Sequence, residues 1–241
     1  MKKLLLGTAM AMAIVAGAAA ADLPVKAPMP APPPVWGWTG CYVGANVGAG
    51  FSRIATSDVT TTPPTDTGTI TNSGIVGGGQ VGCDYQLSDH WVVGVEGEFE
   101  AGNISGSVIV PGSAPAIPFE SRIPWIVTAT ARLGYLFAPA TLVYARGGGA
   151  WSRDNLEIDF QPPPIAKATD NRSGWTIGAG VEQKFWPNVS GFVEYNYLDF
   201  GVRTVPFLRV GSAPHAVAEN IHEVLVGLNF RFGNAPTATR Y

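Results

Sequence analysis

From residue 41 onward, apolar side chains recur at every second position rather than every third or fourth, the pattern of strands with one apolar face and one small or polar face. Residues 90–100 make the case most plainly: Trp91, Val93, Val95 and Phe99 alternate with Gly94, Glu96, Glu98 and Glu100. Three acids on one strand face cannot enter hydrocarbon unpaired, so that face belongs to an interior. The same alternation predicts strands over residues 41–51, 74–84, 125–135, 141–151, 174–185, 190–200 and 222–232, giving eight with the first.

Spacing orders these strands. Polar stretches rich in Gly, Pro, Ser and Thr, at 52–73, 101–122, 152–173 and 201–220, alternate with tight turns at 86–89, 136–140 and 186–189. All long connections then fall at one end of an up-and-down array. A compact soluble domain seldom carries four structureless connections of this length. A membrane barrel does, with long loops outside and short periplasmic turns. The pattern predicts an all-β, eight-stranded antiparallel up-and-down transmembrane β-barrel with four long extracellular loops. A soluble exported binding barrel, sandwich or lipocalin-like, is the alternative, and its inner face would be the more apolar one.

The segments outside the strands assign a compartment. A basic start, Lys2-Lys3, precedes an apolar run and the small residues Ala18-Ala19-Ala20, which predicts a signal peptide over 1–20. Residues 21–38 form a Pro-rich leader, 39–233 the barrel and 234–241 a C-terminal tail. Trp36, Trp38 and Tyr42 mark either an interfacial anchor or the lip of the packed domain. Past residue 21 no run of 18 apolar residues offers a second spanning helix.

Composition sharpens this reading. Charged residues make only 14% of the chain, beside 30 Gly and 20 Pro, which argues against a helical bundle or a charge-rich disordered chain. A net charge of -3 without a basic block excludes nucleic acid as a partner. The inward-assigned charges include four acids, Glu96, Glu98, Glu182 and Glu194, and four bases, Arg132, Arg146, Lys184 and Arg231. An eight-stranded barrel has room for side chains but hardly for a water column, so mutual pairing favours a plugged lumen over a low-conductance porin for small solutes. Trp91, Trp125, Tyr135, Trp151, Trp175, Phe185, Trp186 and Tyr197 lie toward strand ends, where ring side chains suit the headgroup level. Cys41 opens the first strand and Cys83 nearly closes the second, so antiparallel pairing brings them together for a disulfide.

Candidate chemistry adds little. His90, His215 and His222 do not share metal-ligand spacing, and two cysteines are too few for a zinc or iron-sulfur centre. The runs Gly77-Gly78-Gly79 and Gly147-Gly148-Gly149 lack the Lys-Ser/Thr and helix of a phosphate loop. A Ser/His/acid set built on His222 and Glu219 is the kind expected by chance in a Ser-rich chain. No catalytic, metal or cofactor site is predicted.

The leader after Ala21-Asp22-Leu23-Pro24, the segment from Trp38-Thr39-Gly40-Cys41 to Gly48 and the closing Val226-Gly227-Leu228-Asn229-Phe230-Arg231-Phe232 resemble the small outer-membrane β-barrel proteins of alphaproteobacteria, the outer membrane immunogenic or opacity-type porin-like proteins. The resemblance spans essentially the whole exported chain. It implies a monomeric barrel akin to the OmpA membrane domain in the outer membrane of a Gram-negative bacterium, inserted by the barrel assembly machinery among lipid and lipopolysaccharide. It also implies antigenic loops that contact host or surface ligands, a role in envelope integrity, and no cofactor. One departure is the segment 233–241 after Phe232, where such chains usually end on the strand's aromatic residue; no wall-binding domain is expected there.

Overall fold

The structure, a computed structural model, describes residues 37–58, 65–109, 118–158, 166–205 and 215–232. The expected signal peptide, most of the leader and the tail lie outside them. Eight strands follow in order: β1 Gly40–Asp58, β2 Thr65–Gln86, β3 Trp91–Ile109, β4 Pro118–Ala138, β5 Thr141–Ile158, β6 Ala166–Trp186, β7 Val189–Val205 and β8 His215–Phe232. Each pairs antiparallel with its chain neighbours, and β1 pairs with β8 from Cys41 opposite Phe232 to Asp58 opposite His215, closing the barrel.

Alternation decides which face goes in. Val43, Val47, Val81, Val95, Leu133, Ile177, Val193 and Leu228 point out and are exposed, Val95 at 61% and Ile75 at 72%. Asn46, Gln80, Asp84, Glu98, Thr130, Arg146 and Asn196 point in and are buried. This is the inverse of a soluble barrel: apolar surface left bare on the outside makes sense only against lipid.

The strands differ from expectation in length. They run 17 to 22 residues, where about 9–11 suffice to cross hydrocarbon. The stretches 52–73, 101–122, 152–173 and 201–220, expected to be long loops, are largely strand, and only 59–64, 110–117, 159–165 and 206–214 fall outside the described residues. The cause is pairing with a neighbour already aligned below. Beyond the membrane both faces are polar, so continued alternation carries no hydrophobic signal. Bulges interrupt the ladder here, at Thr56/Ser57, between Ala101 and Ile104, between Arg122 and Trp125, and between Asp199 and Val202. Each inserts residues on one strand and so resets which face later side chains occupy.

Two local devices hold the small barrel closed. Inward glycines allow neighbouring strands to approach on the concave side: a Cβ on Gly48 would overlap the Val224 carbonyl oxygen, and one on Gly78 the Phe99 carbonyl oxygen. At the periplasmic end Cys41 lies directly opposite Cys83 in the β1–β2 register and is bonded to it.

Candidate functional site

The lumen is built in layers, and strand parity sets their order. Nearest the periplasmic turns, Trp38, Val92, Leu136, Leu142 and Tyr144 form an apolar cluster. Trp38, just before β1, is fully buried in the barrel mouth. Its indole Nε1 donates to the Pro139 carbonyl at 3.1 Å. Lys184 Nζ lies 4.7 Å from its ring centroid and the Arg231 guanidinium 5.3 Å, so two cations stack on this one ring.

Above it lies a charged layer. Arg132 donates from Nε to Asp84 Oδ1 at 2.8 Å and meets Glu182 at 3.0 Å. Arg231 reaches the same Asp84 at 2.7 Å. Arg146 is the hub of the second half, with Nη1 2.9 Å from Glu96, 3.0 Å from Glu98 and 2.5 Å from Glu194. Neutral groups complete the shell: the Tyr42 hydroxyl donates to Glu96 at 2.5 Å, the Tyr144 hydroxyl to Glu194 at 2.7 Å, and Asn46 Nδ2 to Glu98 at 2.7 Å. Both tyrosine rings occupy space that a Cβ on Gly82 or Gly180 would fill, so these inward glycines are seats for the rings. All these acids and bases are under a tenth exposed, where an unpaired charge would be strongly destabilising.

The next layer is apolar again. Val76, Ile104, Ile123, Ile126, Ala150, Leu198, Phe200, Ile221 and Leu225 belong to one buried cluster across the lumen. Toward the outer end follows a second ion cluster, in which Arg172 meets Asp154 and, at 3.0 Å, Glu219, with the Ser52 hydroxyl 3.4 Å from Glu219. Among the described residues, buried side chains thus occupy each of these levels of the lumen. Among the described residues no group of three or more His, Cys, Asp or Glu is placed to hold a metal ion.

The outer surface carries two aromatic levels. Trp91 packs edge-on against Tyr135 near the periplasmic turns, and Phe185 against Trp186. At the other level lie Trp151 and Trp175, with Trp175 5.6 Å from Tyr197. Among the described residues no charged side chain faces outward between the two levels.

The sequence matches the outer membrane protein beta-barrel domain family over residues 7–232. The chain belongs to this family. It is 33% identical over 245 residues to the 31 kDa outer-membrane immunogenic protein of Brucella melitensis, covering 96% of this chain and all of that one. It is 31% identical to the 25 kDa outer-membrane immunogenic protein of Brucella abortus, over 83% of this chain and 81% of the relative. Among solved structures, OprG of Pseudomonas aeruginosa aligns over 82% of this chain and all of its own, at 14% identity and a TM-score of 0.48. The barrel's place is therefore the outer membrane of a Gram-negative cell, and it sits among relatives named as outer-membrane immunogenic proteins rather than as enzymes.

In this family member, the eight charges assigned inward, Glu96, Glu98, Arg132, Arg146, Glu182, Lys184, Glu194 and Arg231, all lie buried in the lumen. Seven meet directly in ion pairs, while Lys184 donates to the Gly37 carbonyl at 2.5 Å and stacks on Trp38. Alternation also puts Asp84, Glu100 and Glu223 on the polar inner faces, where all three lie buried, although the four-against-four set did not count them; Asp154, Arg172 and Glu219 were expected in loops. Parity carried the missing signal: Asp154 follows Trp151 by an odd step, and Glu219 keeps the inward phase of Glu223 and Arg231. The interior is consequently richer in acids than a four-against-four set. Of the two roles the sequence left open for Trp38, interfacial anchor or lip of the packed domain, its burial in the barrel mouth fits the second.

Proposed function

We propose that this barrel is a non-conducting structural element of the outer membrane, contributing to envelope integrity and meeting the surroundings through its extracellular end. The observation that carries the reading is the filled lumen: two apolar layers enclose a paired charge layer, leaving a solute no continuous polar path. The names of the Brucella relatives, immunogenic outer-membrane proteins, support an outer end met by host molecules. In this reading residues 1–20 direct export, 21–38 are a periplasmic leader, the barrel assembly machinery inserts the barrel as a monomer, and the extracellular connections make the surface contacts.

Deleting the gene is expected to sensitise cells several-fold to bile salt or EDTA while leaving uptake of small hydrophilic solutes unchanged, with resistance restored by the wild-type copy. Slower uptake without sensitisation would instead make the chain a low-conductance porin.

A further inference from the structure

The strand ladders do not all reach the outer end. Pairing of β2 with β3 ends at Ser73 opposite Ser105, and pairing of β6 with β7 ends at Trp175 opposite Asp199. Above those rungs, among the described residues, β2 keeps only β1 over 65–72 and β3 keeps only β4 over 106–109. In the same way β6 keeps only β5 over 166–174, and β7 keeps only β8 over 202–205. The closed barrel thus continues outward as two four-stranded sheets, β7–β8–β1–β2 and β3–β4–β5–β6, with a seam on either side. Each seam leaves strand edges whose backbone N–H and C=O groups have no ladder to join.

The two seams differ. At the β6–β7 seam, Gly201 with a φ of 69° and the bulge between Asp199 and Val202 turn β7 aside, and Arg203 Nη1 donates to the Asn171 backbone carbonyl of β6 at 3.3 Å. A charged side chain laid on an edge is one of the ways in which edges are kept from pairing with other chains. The β2 edge is built otherwise. Residues 65–72 hold four threonines, a single charge at Asp66 and no Lys, Arg or Pro, and threonine favours the strand conformation. Its orientation follows from the turn below: the Leu87 N–H donates to the Trp91 carbonyl at 2.8 Å, so odd-numbered residues of β2 turn their backbone groups toward β3. Thr69, Thr71 and Ser73 keep that phase, since neither ladder of β2 shifts register between them and the turn. Their side chains are exposed on the outer face. Across the seam a polar cavity of about 540 Å³ lies beside the β3 edge, with Asn103, Ser105, Ser107 and Glu120 in its lining. At the foot of the seam Asn72 is fully buried, and its Oδ1 fills the space that a Cβ on Gly106 would take. Neither Oδ1 nor Nδ2 of Asn72 has a hydrogen-bond partner.

We propose that the free edge of β2, through the backbone of Thr69, Thr71 and Ser73, binds an extended peptide segment of another protein as an added strand. A peptide backbone is the complement of an open ladder, because it supplies donors and acceptors at strand spacing. The outward hydroxyls, Thr69, Thr71 and Ser73 on one bank and Ser105 and Ser107 on the other, select short uncharged polar or β-branched side chains on the segment's outer face. An amide or hydroxyl on its inner face meets Asn72. A second copy fits less well: two barrels in one membrane present their β2 edges in the same direction, so these pair only as parallel strands, the less stable arrangement. The proposal deepens the reading of the outer end as the surface that meets other molecules and rests on it, but not on whether the lumen conducts.

The test uses the full exported chain folded in mild-detergent micelles and a fluorescein-labelled octapeptide of alternating Thr and Val, with binding read by anisotropy. Saturable binding is expected. The same peptide N-methylated at its two central residues, which blocks both of its own edges, is expected to bind at least tenfold more weakly. Thr71→Pro removes an N–H that faces the seam and leaves the bonds to β1, so this variant is expected to lose at least tenfold in affinity. Thr169→Pro, the same exchange on the guarded β6 edge, is expected to keep it, with folding of both judged by heat-modifiable migration. Should Thr71→Pro not fold, the comparison of the two peptides on the wild-type chain still decides. Absence of saturable binding, equal binding of the two peptides, or undiminished binding by folded Thr71→Pro would overturn the site. So would a dimer in sedimentation that Thr71→Pro dissolves, which gives the edge to a second copy. Envelope sensitisation is read on cells without any peptide, so loss of the edge would leave the structural role standing, and an unsensitised deletion strain would remove that role and leave the edge.

Discussion

Replacing Arg146 by Met is expected to destabilise the barrel by about 3–5 kcal/mol, because it removes one partner of a buried ion cluster and leaves the others uncompensated. Arg146 Nη1 lies within 3.0 Å of Glu96, Glu98 and Glu194, and Nη2 accepts no alternative role but donates to the Thr128 hydroxyl oxygen at 2.9 Å. With the guanidinium gone, three carboxylates face one another inside a closed wall. The measurement is the urea midpoint of barrels folded in lipid vesicles, followed by heat-modifiable migration. Adding Glu194→Gln to the Arg146→Met variant removes one of the stranded charges and should recover part of the loss, a non-additivity expected only for residues in one network. An unchanged midpoint would mean that the three acids do not depend on Arg146.

The second large effect belongs to the opposite face of the same wall. Val95 points outward from β3, between Trp91 at one aromatic level and Phe99 at the other. An arginine there stands near the middle of the hydrocarbon, and Val95→Arg is expected to cost about 2–4 kcal/mol. Ser105→Arg, also outward on β3 but beyond the outer aromatic level, should cost about 0–1 kcal/mol. The same vesicle unfolding assay compares them. Equal tolerance at the two positions would contradict the placement of the apolar band in lipid.

These two faces also mark what could be read in the sequence. Where one face meets lipid and the other a polar lumen, each step along the chain changes polarity, so Trp91 to Glu100 declares both its strand and its orientation. Above the membrane the same geometry continues in letters that do not contrast. Ser152, Arg153, Asp154 and Asn155 alternate inward and outward in β5, yet all are polar. What makes them strand is hydrogen bonding to residues of β4 and β6, a non-local cause that no window of sequence contains. The bulges compound this: after the one between Arg122 and Trp125, Ile123 and Ile126 both end inside the lumen although an odd step separates them.

The charge layer was legible in its members more than in its balance. Parity placed Arg132 and Glu182 inward, but their meeting depends on the closed circle of strands, with Asp84 reaching across from β2. The Trp38 stopper had no periodic signature at all. It is fixed by Pro139, Lys184 and Arg231, which lie 101, 146 and 193 residues away in the chain.

The central claim is that this outer-membrane barrel is sealed by its own side chains, and the conductance of the purified full exported chain in planar bilayers tests it most directly. The filled lumen predicts a baseline without steady steps at moderate voltage, even when heat-modifiable migration shows the inserted protein to be folded. Uniform, long-lived conductance steps scaling with the amount of folded protein would contradict it.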